Sequence, residues 1–163
     1  MHPHLARCQA LIADATRDAG ASASTRRDPS KWSVAEIVEH VVRAYTGTTK
    51  GFERCLAQGP LASPLTLKQW VAQTSLIDLG YFPEGRPAPK SILPTGAIAL
   101  PALLASVPTE LARLDEIARR VKAAHGDGKV MDHPILGALT VDQWLQFHER
   151  HTAHHANQIR RQS

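Results

Sequence analysis

Nine of the 163 residues are histidines, and four of these, His148, His151, His154 and His155, fall within eight positions near the C-terminus. His151 and His155 stand at i and i+4, the spacing at which two imidazoles on adjacent helical turns reach one cation. With a rotation of about 100° per residue, His148, His151 and His155 project within about 60° of one another. Their side of the helix also carries Val141, Trp144, Leu145 and Ile159. Rings on an apolar face lose hydration unless their nitrogens find partners, and three together repel one another when protonated. A divalent metal ion removes both difficulties; hydrogen-bonded core histidines are the alternative for any one of them. A third ligand has to come from another helix. The candidate is His40, at the edge of a stripe formed by Ile37, Val41, Ala44, Thr48 and Cys55. That edge position suits a residue reaching between helices and equally a half-exposed one. His154, Arg150, Asn157 and Arg161 project to other sides and read as solvated, and His2, His4, His125 and His133 read as surface residues of termini and turns.

Four stretches can position these side chains as helices. The first, about 3–20, is rich in Ala, Leu and Arg. The second opens at Ser33, with Glu36 three residues later as a capping box, and runs to about Gln58. The third covers roughly 100–124, with Leu104, Val107, Leu111, Leu114, Ile117 and Val121 at spacings of three and four, and Gly126 and Gly128 end it. Pro108 is expected to start that helix late or to kink it. The fourth begins at Thr140, paired with Gln143 in another capping box, and continues nearly to the C-terminus. Seven prolines (Pro60, Pro64, Pro83, Pro87, Pro89, Pro94 and Pro101) fall between residues 59 and 101, with Gly80, Gly85 and Gly96 among them. This segment reads as a long crossover, with a short helix where Thr66 and Gln69 form a third capping signal before Trp70. The expected fold is all-α, a single domain over 1–163 built as a four-helix bundle with a long Pro-rich crossover between helices 2 and 3.

Composition narrows the function. With 43% hydrophobic and 21% charged residues the chain has a globular balance, and no apolar run approaches the roughly 20 residues that span a bilayer. Asp14 and Arg17 interrupt the N-terminal stretch, which therefore does not resemble an export signal. Cys8 and Cys55, without CxxC spacing, fit free thiols in a reducing compartment, so a cytoplasmic location is expected. The net charge of +4 is spread along the chain, aromatic residues are only 5%, and no basic run alternates with aromatics, which argues against a nucleic-acid partner.

The segment KWSVAEIVEHVV (31–42), followed about a hundred residues later by HPILGALTVDQWLQFHERHTAHHANQI (133–159), resembles the DinB/YfiT-like superfamily of metal-dependent enzymes. The shared signatures are a Trp-Ser helix start leading to one histidine, and a G-x-L-T helix start leading to H-x-x-H-H-x-x-Q, here His151, His154, His155 and Gln158. The resemblance rests on the second and fourth helices, covers the first and third by length and periodicity alone, and does not extend to 59–101. It implies a bundle of up-down-down-up type, with a divalent metal held by His40, His151 and His155. His148, pointing inward one turn before His151, is then a substitute ligand, a proton carrier or, as we rank it, a residue that contacts the ligands and not the ion.

Three neutral imidazoles leave zinc or nickel an open position for water or a thiol, whose pKa the ion would lower. Characterised members of the superfamily include S-transferases that use low-molecular-weight thiols and a mycothiol-dependent maleylpyruvate isomerase. The expected function is therefore a metal-dependent enzyme acting on a small-molecule substrate, most simply thiol S-transferase-like. A metal-dependent hydrolase and a non-catalytic metal- or small-molecule-binding bundle are the alternatives, together with a bundle that works through macromolecular contacts. Around the site, Glu36 is placed either to orient His40 or to cap its helix. Gln158 is placed to bond a ligand or a neighbouring helix. Trp32 and Trp144 read as packing, Tyr45 has a weak claim to line the pocket, and the crossover is the natural carrier of substrate specificity. A homodimer is compatible with the helix faces.

Overall fold

The computed structural model describes residues 1–82 and 88–162. Pro83, Gly85 and Pro87 of the expected crossover lie outside the described residues. The chain is mostly helical: α1 is Pro3–Ala15, α2 Val34–Gln58, α3 Leu67–Gln73, α4 Leu100–His125 and α5 Val141–Arg160. Between α4 and α5 lies an antiparallel ribbon of β1, Met131–His133, and β2, Gly137–Leu139, with Met131 opposite Leu139 and His133 opposite Gly137. The expectation of an all-α chain holds in the coarser form of a mostly helical one, and the ribbon is an addition to it. The ribbon's strands are three residues each, too short for a period-2 pattern to show.

All three capping signals form reciprocal boxes: Ser33 with Glu36 before α2, Thr66 with Gln69 before α3, and Thr140 with Gln143 before α5. Such boxes satisfy two backbone N–H groups at once and fix where each helix begins. Since α2 and α5 carry the candidate ligands, their caps set the ligands' height and phase. α1 ends earlier than expected, at Ala15, and the chain leaves it through a turn at 16–18 in which the Thr16 hydroxyl donates to the Ile12 carbonyl. α4 begins at Leu100 with no delay. Pro101 sits in its first turn, where a missing N–H costs nothing, and the helix runs on through Pro108. The buried contacts of Leu103, Val107, Leu111 and Leu114 hold it there. Gly126, at φ +61°, ends it.

α2 lies along α4, α1 along α5, and α2 meets α5. The larger buried cluster gathers Tyr45, Phe52, Leu111, Leu114, Leu139 and Trp144; the smaller one holds Ile37, Val38, Leu103, Ala156 and Ile159. Trp32, partly buried against the smaller cluster, also packs on the His40 ring. α3 continues into a π turn, Thr74–Asp78, and its Gln73 amide donates to the Leu136 and Ala138 carbonyls, docking the start of the crossover on the ribbon. Among the described residues no helix is long and apolar enough to cross a membrane.

Candidate metal centre

His40 from α2 meets His151 and His155 from α5. Nε2 of His151 lies 3.2 Å from Nε2 of His40 and 3.0 Å from Nε2 of His155. The rings stand edge to face, with interplanar angles of 63°, 71° and 89°. Their exposures are 2%, 8% and 7%, so the rings are withdrawn from bulk water while all three line a groove. Ligands about 2.0–2.1 Å from a tetrahedral ion stand about 3.3 Å apart, close to the observed separations.

Two of the three outer ring nitrogens are held by partners, while His151 Nδ1 is buried without one. His40 Nδ1 lies 2.9 Å from the Ile92 carbonyl, which can only accept, so Nδ1 carries the proton and Nε2 a lone pair. His155 Nδ1 lies 2.8 Å from Gln158 Oε1, with the same consequence. Two lone pairs therefore face His151 Nε2. A proton on that nitrogen can satisfy one of them, and no arrangement of neutral rings satisfies both. Burial is the main force lowering each ring's pKa, and the neighbouring histidines add to it. His155 is pushed down to about 3, His151 well below its ordinary value, and His40 below it. The three rings are neutral at pH 7, the form that binds a cation. Among the described residues these three histidines form a buried group that could hold a metal ion, and the donor set fits one.

Aromatic rings frame the cluster. Trp32 packs on His40 at 4.9 Å between centroids, Phe147 stacks on His151 at 5.3 Å, and Phe82 stacks on His154 at 5.3 Å. Trp32, Phe82, Ile92, Phe147 and His154 line the adjoining groove with the three histidines. His154 is half-buried there, not solvated as expected, and its Nε2 meets the Gln158 amide nitrogen.

Several sequence expectations are redistributed. His148 is fully buried, but Nε2 bonds the Thr48 hydroxyl at 2.9 Å and the ring packs on Tyr45. Among the described hydrogen bonds none joins it to the three histidines, and burial pushes its pKa to about 3. Glu36 does not orient His40. It caps α2 and takes two bonds from Arg26, at 2.8 and 2.6 Å, which are the main force lowering its pKa to about 2. Gln158 does bond a candidate ligand. Trp144 packs in the core and donates to the Met131 carbonyl, and Trp32, also read as packing, lines the groove beside His40. Tyr45 is fully buried with its hydroxyl on Thr152, away from the groove. His133, expected at the surface, is half-buried against Trp144 and Phe147, and burial lowers its pKa to about 4. His2, His4 and His125 are half-buried as well, and His4 pairs with Glu149. The role of the Ile92 carbonyl was invisible in the sequence, since a backbone acceptor leaves no residue-type signal.

No curated protein and no solved structure matches the chain. Residues 9–162 match the family described as a protein of unknown function, DUF1569, and the chain belongs to that family.

Proposed function

We propose that His40, His151 and His155 hold a divalent ion, zinc or nickel, and that the chain is a metal-dependent enzyme with thiol S-transferase-like activity. The observation that carries this reading is the convergence of three Nε2 atoms, two of them with lone pairs fixed by outside partners. In this reading the pairings of α1 with α5 and of α2 with α4 are those of a DinB/YfiT-like four-helix bundle of up-down-down-up type, with α3 in the crossover. When bound, the ion supplies the Lewis acidity that makes a small thiol or a water nucleophilic near neutral pH.

A bound ion brings either a thiol or a water to its ionised form near neutral pH, so the choice of the thiol follows the expected resemblance to thiol-using members of the DinB/YfiT-like superfamily. The two acids nearest His40 in sequence are engaged elsewhere, Glu36 by Ser33 and Arg26, and Glu39 by Thr95 and Gly96. The groove walls of Trp32, Phe82 and Phe147 suit an electrophile with an apolar part. The test is a panel of low-molecular-weight thiols with activated electrophiles, run on metal-free and zinc- or nickel-reconstituted protein. Thiol-dependent turnover that requires the metal supports the proposal. Metal-dependent turnover that consumes water and ignores the thiol replaces it with hydrolysis, and turnover indifferent to metal removes it.

A further inference from the structure

Glu39 precedes His40 in α2 and is only 1% exposed. A carboxylate buried on an apolar helix is costly unless its oxygens are bonded. These are. Oε1 accepts from the Thr95 N–H at 2.9 Å and the Thr95 hydroxyl at 2.8 Å, and Oε2 accepts from the Gly96 N–H at 3.0 Å. Arg43, one turn further on, bridges Glu39 Oε1 and the Ser91 carbonyl, each at 3.4 Å. Gly96, at φ +70°, turns the chain so closely over α2 that an added Cβ would lie 3.2 Å from Glu36 Oε1. The crossover is thus anchored to α2 at Ser91 and at Thr95–Gly96. Between these anchors lies Ile92, whose carbonyl meets His40 Nδ1.

We propose that Glu39 is a positioning residue of the metal centre: by strapping residues 91–96 onto α2 it holds the Ile92 carbonyl against His40 Nδ1, and so keeps His40 Nε2 aimed at His151 and His155. The inference rests on reading the histidines as a metal site. It makes the Pro-rich crossover part of that site. An apolar side chain at position 39 would fill the space, but it would leave the Thr95 and Gly96 N–H groups without their acceptor and Ile92 without its fixed place.

The experiment compares wild type with Glu39→Gln, which keeps the shape but not the charge, and with Thr95→Val, an exposed position where the hydroxyl's bonds to Glu39 Oε1 and from the Ala97 N–H are lost while the Thr95 N–H still reaches Glu39. Two quantities are read: the ring-nitrogen NMR shifts of His40 in metal-free protein, and zinc affinity by chelator competition. The wild type should show His40 protonated on Nδ1. Glu39→Gln should show mixed tautomers and zinc binding weaker by about ten- to a hundred-fold, and Thr95→Val should move both in the same direction by less. A lowered melting temperature with the tautomer and zinc affinity of wild type would overturn the inference, because that is what a merely structural residue produces. If Glu39→Gln does not fold, an unchanged tautomer and affinity in Thr95→Val overturn it. Wild type that binds no zinc or nickel sinks the metal reading instead, and the His40 tautomer still decides whether Glu39 sets that ring.

Discussion

The backbone carbonyl of Ile92 accepts a hydrogen bond of 2.9 Å from His40 Nδ1, across 52 positions of sequence. A backbone acceptor fixes both the tautomer and the plane of the ring it receives, as the outer partners of metal-bound histidines do. The bond also gives the crossover a purpose beyond joining two helices, since one candidate ligand takes its orientation from it.

Gln158 performs the same service for His155. It is half-buried near the end of α5, where a change of side chain disturbs little packing. Gln158→Leu should therefore weaken zinc or nickel binding by about ten-fold or more while leaving the melting temperature of metal-free protein nearly unchanged. Chelator competition and thermal unfolding of the same samples check the two halves. Equal affinity would mean that His155 holds its orientation without the amide.

His148 supplies a pH prediction for the metal-free protein. Burial, with a smaller contribution from His133, lowers its pKa to about 3, against about 6.5 in an unfolded chain. Between these values the unfolded chain takes up a proton that the folded chain refuses, so acid favours unfolding. The stability is complete above pH ~6.5 and falls as pH drops, by up to about 1.4 kcal/mol per pH unit from this residue. Urea unfolding between pH 7 and 5 should show the decline, and His148→Asn should flatten it by about that amount. An unaltered slope in the variant would contradict the buried, neutral state of His148.

Gly137 opens β2 at φ +67°, and a Cβ there would lie 2.6 Å from Gln69 Cδ, in the cap of α3. Gly137→Ala should lower the unfolding free energy by about 1–2 kcal/mol for the left-handed backbone alone, measured by denaturant titration. Metal affinity should stay as in wild type, because the ligands stand on α2 and α5. A loss of affinity would show that the ribbon transmits strain to the site.

What could be read from the sequence was local. Ser33–Glu36, Thr66–Gln69 and Thr140–Gln143 announced their helix starts because a capping box is complete within four residues. Helical phase put His151 and His155 on one face but left His40 either reaching between helices or half-exposed; the structure brings the three together. What escaped depends on backbone geometry or distant pairing. The ribbon is held by ladder bonds and one left-handed glycine, and the partner of His40 is a carbonyl. Glu36 and Glu39 lie on the same helix, and their sequence context does not reveal that the first turns to Arg26 and the second to the crossover.

The central claim is that the three histidines bind one metal ion. Elemental analysis of purified wild type beside His155→Ala tests it most directly, with folding of the variant checked by circular dichroism. The account predicts close to one equivalent of zinc or nickel per wild-type chain and its loss from a folded variant. Wild type free of divalent metal after reconstitution, or a variant that retains the ion equally well, would contradict it.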